Sequence, residues 1–209
     1  MSMLLLDVGN SRIKWKLLVK DQLCASGVEV YDKDKLGEQL SSWFSDVLAQ
    51  ERVIICAVVA SSTQELIANW FRRRWLCTVD FIKPSRYLAG VRNGYIDDGA
   101  LGVDRWMAIV AAFDVYATAV CVIDCGTAIT LDVVDASGQH QGGMIMPGLK
   151  LMQNALVQGA TAIEEERGHY QWLAKNTADG VVSGCLELAV SGLAGIHRQL
   201  IQEYGDGLK

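Results

Sequence analysis

Proline occurs only 2 times in 209 residues, and no Pro-rich or Ser-rich stretch interrupts the chain. A flexible linker between independent domains is therefore not written into it. Basic residues are outnumbered, 19 Lys plus Arg against 24 Asp plus Glu, for a formal net charge of -5. Duplex nucleic-acid binders carry a basic surplus or stripe. The one basic run, Arg72-Arg73-Arg74, reads as the solvated end of a helix, so no nucleic-acid partner is expected. No window approaches the ~18 uninterrupted apolar residues of a membrane span. The N-terminal Met-Ser-Met-Leu-Leu-Leu-Asp also lacks the positive region of a signal peptide. A soluble, cytoplasmic protein with no membrane partner is the expectation.

Other absences narrow the chemistry. The six cysteines (Cys24, Cys56, Cys77, Cys121, Cys125, Cys185) form no C-x-x-C and adjoin no histidine pair, which supports neither zinc nor a disulfide framework. Reduced, mostly buried thiols are expected. No G-x-x-x-x-G-K-[ST] occurs, and no strand–G-x-G-x-x-G–helix unit, so neither a P-loop nor a dinucleotide fold is indicated. The histidines His140, His169 and His197 stand apart. A His–carboxylate or Ser–His–Asp arrangement has no local support, and each histidine reads as solvated or packed.

What remains is globular. Hydrophobic residues make up 51% and charged residues 21% of the chain, too apolar for disorder and too charged for a membrane bundle. The length suits one domain, or two small ones built alike. An apolar run at 4–6 and a turn at Gly9-Asn10-Ser11 precede Ile13, Trp15 and Leu17, which alternate with Arg12, Lys14 and Lys16. This predicts strand–turn–strand. A buried strand is predicted over 53–59, and amphipathic helices over 34–49 and 64–75. From Asp104, the residues Trp106, Ile109, Val110, Phe113 and Ala117 recur at helical spacing. A strand over 121–124, a turn at Cys125-Gly126-Thr127 and a strand over 129–134 follow. Gly142-Gly143 and Pro147-Gly148 then punctuate the chain before helices over 149–158 and 177–204.

The chain also echoes itself. Leu4-Leu5-Leu6-Asp7-Val8-Gly9-Asn10-Ser11 resembles Cys121-Val122-Ile123-Asp124-Cys125-Gly126-Thr127-Ala128. Each is an apolar strand ending in Asp-x-Gly and a small polar residue. The expectation is an α/β fold of two similar halves, 1–117 and 118–209. Glycine after a strand-end aspartate allows a sharp turn, lifts N–H groups out of the ladder and leaves room for a phosphate. Asn10, Ser11, Thr127 and Thr130 add short donors. The aspartate itself would repel a phosphate, but it can hold Mg²⁺ that screens the charge. Such a turn also ends ordinary hairpins; two copies in related settings favour nucleotide binding.

A third constellation is Gly102-Val103-Asp104-Arg105. Asp104 near a helix start serves either as a cap or as a general base for an attacking hydroxyl. Arg105 can stabilise a transferring group or grip a carboxylate with both arms. Upstream, Arg92-Asn93-Gly94-Tyr95 offers an aromatic wall for a small molecule.

These blocks, with Gly142-Gly143, Pro147-Gly148, Thr177 and Gly180, resemble in order the type III pantothenate kinases of the acetate-kinase/actin/hexokinase-like (ribonuclease H-like) superfamily. The resemblance implies two halves around an ATP cleft and ATP-dependent phosphorylation of pantothenate, the first step of coenzyme A synthesis. It implies that Asp7, Val8, Gly9, Asn10, Ser11, Arg12, Ile13 and Lys14 form the first ATP-phosphate hairpin, and that Thr127 lies in the second. It makes Asp104 the proton acceptor and places Tyr95, Gly102, Val103, Asp104, Arg105 and Thr177 around pantothenate. Asp124 matches a site for a monovalent cation, K⁺ or NH₄⁺, beside Mg²⁺ carried with ATP. A homodimer is implied, with contacts near the helix from Asp104 and around Thr177. Family members also carry a later strand, a Gly-Gly-Asp-Ala-like turn near adenine and a final helix, none of which appears before Lys209. Two other readings share the fold: a Bvg accessory factor-like regulator, and a kinase for another small hydroxy acid or sugar.

Overall fold

A computed structural model of the chain describes residues 2–159 and 168–209. They form two compact units, Met1–Ser85 with Asp97–Met107, and Arg86–Ile96 with Ala108–Lys209.

The first unit is built on a five-stranded mixed sheet. Strands β1 (Ser2–Val8), β2 (Arg12–Val19) and β3 (Gln22–Val30) form an antiparallel meander, and β4 (Arg52–Ala57) and β5 (Thr78–Phe81) continue it in parallel, in the order β3-β2-β1-β4-β5. Leu4, Leu6 and Val8 bury one face of β1 at period two, against Ile13, Val53 and Ile55. Helices α1 (Leu36–Trp43) and α2 (Ser61–Trp75) make the crossovers to β4 and β5. Arg72, Arg73 and Arg74 are exposed in the last turn of α2, where they suit the negative end of the helix dipole.

Two expectations need correction. The thiols, expected to be mostly buried, are buried only at Cys185, with Cys24 and Cys125 exposed and the other three intermediate. The helix predicted over 34–49 is a short 3₁₀ turn at Lys33–Lys35 followed by α1, which stops at Trp43. Phe44 leaves the helix to sit 1% exposed in a cluster with Trp15, Trp70, Phe71 and Trp75, at centroid distances of 5.3–6.1 Å. Burying a phenylalanine is worth roughly 1.5–3 kcal/mol, more than the ~1 kcal/mol net of one further helical hydrogen bond. The edge strand β3 alternates in burial from Cys24 to Val30, but its inward residues are Ala25, Gly27 and Glu29 while Val28 and Val30 face outward, so no apolar alternation shows in the sequence. What ties it down is Gly27 opposite Trp15, where any Cβ would lie 2.5 Å from the indole nitrogen.

The second unit holds a small hairpin, β6 (Tyr87–Leu88) and β7 (Val91–Arg92), and a three-stranded antiparallel sheet. Its strands are β8 (Val120–Cys125), β9 (Ala128–Val134) and β10 (His140–Pro147), ordered β10-β9-β8. That order repeats β3-β2-β1, so the echo in sequence is an echo in topology. The Gly142-Gly143 stretch lies within β10, at a bulge where Gly142 has φ +111°. On the far edge of β8, Lys209 donates to the Ala119 carbonyl at 3.1 Å and accepts from Cys121 at 2.7 Å.

Helix α3 (Val103–Tyr116) starts in the first unit and ends in the second; α4 (Leu149–Gly159) and α5 (Thr177–Tyr204) belong to the second. By length and composition α5 is apolar enough to cross a membrane, with little of it buried. No uninterrupted apolar run exposes this, because Glu187 and several small residues break it.

Candidate active site

β1 carries Asp7 to the first turn, opposite Lys14 on β2, whose ammonium lies 3.5 Å from the carboxylate. Both side chains are about half exposed, so the pair adds only ~0–1 kcal/mol to stability. Its consequence is placement, an acid and a cation held at one turn. The Gly9 N–H donates to the Arg12 carbonyl at 3.0 Å, and the Tyr31 hydroxyl donates to the Gly9 carbonyl at 2.9 Å. Asn10, Ser11 and Arg12 are exposed, whereas the Val8 and Ile13 side chains are fully buried and offer a ligand only their backbone.

The glycines act differently from the sequence expectation. Neither Gly9 nor Gly126 has a left-handed φ, and a Cβ on either would meet its nearest neighbour at 3.5–3.6 Å, an ordinary contact. Backbone conformation does not require them. What they supply is the lack of a side chain over the turn.

Asp104 is the second residue of α3 and is exposed. The Gly102 carbonyl accepts the Trp106 N–H at 2.9 Å, so Gly102 occupies the cap position and Asp104 sits within the first turn. Its Oδ1 accepts the Arg105 N–H at 2.8 Å and lies back over Gly102, where a Cβ would come within 2.7 Å of it. Arg105, offered by the sequence as a cation for substrate, is buried.

A residue that sequence reasoning passed over links these two acids. Cys56 on β4 pairs in register with Asp7. Its thiol is pushed up to about 12, first by burial, then by the negative charges of Asp7 and Asp104. Both charges thus reach the half-buried Cys56 thiol, although Asp7 and Asp104 lie far apart in the sequence. The β1–β4 pairing sets Asp7 beside Cys56, and the start of α3 brings Asp104.

In the second unit, Asp124 is the penultimate residue of β8, opposite Thr130, and Asp124, Gly126 and Thr127 are exposed. This turn is tighter than the first: Cys125 pairs with Ile129, whereas Val8 pairs with Ile13. The Thr127 carbonyl accepts the Gly148 N–H at 3.0 Å, and a Cβ on Gly148 would strike the Gly126 and Thr127 carbonyls at 2.3 and 2.4 Å. Pro147-Gly148 thus marks where the start of α4 meets the turn backbone, which brings a helix N-terminus to the turn. Among the described residues no group of three or more His, Cys, Asp or Glu is placed to hold a metal. A lone carboxylate does not make a protein cage for a bare divalent ion, but it suits a monovalent cation or a phosphate-bound Mg²⁺.

Tyr95 follows Asn93 and Gly94 in a loop where the Asn93 Oδ1 accepts the Tyr95 N–H at 3.0 Å. Its ring stacks on His140. His140 is not the isolated residue its sequence position suggests: it is fully buried, with Nε2 3.0 Å from Asp132 Oδ1. An aspartate inside the apolar run of β9 was the available signal.

Thr177 opens α5 and is exposed. Beside it the Asn176 Oδ1 accepts the Asp179 N–H at 2.9 Å, and its Nδ2 donates to Asp179 at 2.7 Å. Asp179 also accepts the His169 N–H at 2.7 Å. The His169 N–H, then the Asn176 amide, hold the Asp179 carboxyl below its ordinary value.

Comparison with known proteins places these residues in context. The family described as Type III pantothenate kinase matches residues 3–199. A Type III pantothenate kinase of Alkalilimnicola ehrlichii is 39% identical over 202 residues, 96% of this chain and 79% of the relative. One from Nitrosococcus oceani is 33% identical over 213 residues, 99% of this chain and 80% of the relative. A solved Campylobacter jejuni structure assigned to the Baf family of transcriptional activators superposes with TM-score 0.52 at 20% identity, over 98% of this chain and 80% of that one. At that identity the likeness is one of fold alone, a mixed α/β architecture.

Proposed function

This chain belongs to the type III pantothenate kinase family, and we propose that it phosphorylates pantothenate through Asp104, with Asp7 serving the phosphates of ATP. The reaction opens coenzyme A synthesis. The observation that carries the assignment of roles is placement: Asp7 near the end of β1 beside the first turn, and Asp104 exposed in the first turn of α3, belong to one compact unit.

Asp104 takes the proton of the pantothenate hydroxyl. The freed oxygen attacks the γ-phosphorus of ATP as the bond to the β-phosphate oxygen breaks, and ADP leaves. Such transfer asks the protein mainly for positioning and charge stabilisation. The hairpin from Asp7 through Lys14 receives phosphate oxygens at its tip, on the Asn10 and Ser11 backbone and side chains, and Lys14 adds positive charge beside them. Asp7 would hold Mg²⁺, directly or through water; bound there, the ion neutralises phosphate charge. The Thr127 turn, backed by the start of α4, receives phosphate from its own unit. Tyr95, Gly102, Val103, Arg105 and Thr177 line the place of pantothenate, and Asp124 takes the monovalent cation, K⁺ or NH₄⁺. The protein works in the cytoplasm as a homodimer, for which the exposed Leu188 and Val190 of α5 offer apolar surface.

The test is ADP release in the presence of ATP, Mg²⁺ and K⁺, with and without pantothenate. Pantothenate-dependent turnover, stronger in K⁺ than in Na⁺ and losing that preference in Asp124→Ala, is expected. ADP release indifferent to pantothenate overturns the substrate, and unchanged cation preference overturns the role of Asp124.

A further inference from the structure

The geometry points to His140 as a positioning residue for Tyr95: its ring, held in one tautomer by Asp132, presents the tyrosine to pantothenate in a fixed orientation. The inference rests on the place proposed for Tyr95 beside the substrate, and it assigns work to a buried pair that the phosphate turns and Asp104 leave unused.

Asp132 and His140 are 3% and 0% exposed. Burying an imidazole with a carboxylate is costly, and apolar side chains such as the neighbouring Leu131 and Val133 would hold the same strands without that cost. The arrangement around the ring shows what the pair does instead. His140 Nε2 meets Asp132 Oδ1 at 3.0 Å, while its Nδ1 accepts the Gly94 N–H at 3.4 Å. A ring nitrogen that accepts a hydrogen bond carries no proton, so the proton sits on Nε2 and is donated to Asp132. Tautomer and ring direction are thereby set together.

The same ring meets Tyr95 face to face, with centroids 6.0 Å apart and planes 12° apart, within the range of offset stacking. Gly94 brings the two segments close: a Cβ there would lie 2.0 Å from the His140 carbonyl oxygen. One hydrogen bond, one glycine contact and one ring face thus fasten the Tyr95 loop to β10. Gln139 reinforces the junction, with its Nε2 donating to the Arg92 carbonyl at 3.5 Å, and the Arg92 N–H donates to the Gly138 carbonyl at 2.8 Å. A tyrosine ordered before substrate arrives spares binding the cost of ordering it.

The test is a double-mutant cycle on the full chain, with pantothenate affinity read by calorimetry and KM and kcat read in parallel. His140→Ala should weaken pantothenate binding about tenfold through lost preorganisation, with the KM for ATP unchanged. In a Tyr95→Ala background the same change should add less than about twofold, because the residue it positions is gone. His140→Gln keeps a donor for Asp132 but lacks a ring to stack on. It should weaken binding like alanine, and it carries the cycle if His140→Ala does not fold. Equal losses from the His140 change with and without Tyr95 would reduce the pair to a structural clamp and overturn the positioning role. Unchanged affinity in Tyr95→Ala would instead overturn the place of Tyr95 at the substrate, and the positioning role with it.

Discussion

At the scale of single residues, the candidate site turns on where charge is placed. Asp104→Asn keeps the side-chain oxygen that accepts the Arg105 N–H but cannot take a proton. Turnover should fall by about 10²–10⁴-fold, as for loss of a general base, with pantothenate affinity within a few-fold; rapid-quench kinetics beside calorimetry separate the two. Cys56 reports on the same charge. A raised thiol value means a neutral, slow thiol across the physiological range, so iodoacetamide at pH 8 should label the exposed Cys24 and Cys125 well before it. Asp104→Asn removes one negative neighbour, which lowers the thiol's value and should speed labelling of Cys56, modestly because burial dominates. Mass spectrometry that finds no change in that rate would separate Asp104 from Asp7. Gly9→Ala tests the turn. With a left-handed φ absent and only ordinary contact for a Cβ, stability should change by less than ~1 kcal/mol. ATP affinity should fall at least tenfold if phosphate approaches that backbone.

At the scale of elements, the start of α5 is the most densely bonded terminus described. Asn176 caps the helix, and Asp179 answers both Asn176 and the His169 backbone, which keeps its carboxyl ionised to lower pH than usual. The sign follows from linkage. A lowered folded value stabilises the protein fully above the ordinary 3.8 and loses that stabilisation as pH falls through the folded value. The Tm difference between wild type and Asp179→Asn should therefore be constant near neutral pH and shrink below about pH 4. A difference that persists at pH 3 would show that the carboxylate charge is not what stabilises this terminus. Because Thr177 sits in the same first turn, loosening it should also weaken pantothenate binding.

At the scale of the whole molecule, net charge and exposed surface govern association. With a formal charge of -5 the chain is poorly suited to a polyanion. The exposed Leu188 and Val190 lie on a 28-residue helix with few buried positions. Light scattering should return twice the monomer mass at micromolar concentration, and Leu188→Glu should shift it toward the monomer. A wild-type monomer over that range would overturn the dimer.

What the sequence determined alone is the part of the protein written in local pattern. An apolar run marked β1, period-two alternation marked β2, 3.6-residue spacing marked α3, and α5 appeared with its true limits. The repeated Asp-x-Gly showed that two like turns exist, because a turn is specified by the residues within it. The ends of α1, the edge strand β3 and strand β10 escaped local pattern. They were decided by an aromatic cluster, by Gly27 beneath Trp15, and by a bulge that breaks alternation. The placement of Asp7 beside Cys56 required β1 and β4 to pair, and the burial of His140 against Asp132 required β9 and β10 to pair. Both are contacts between residues distant in the chain, whose energies depend on burial and proximity that no short window contains.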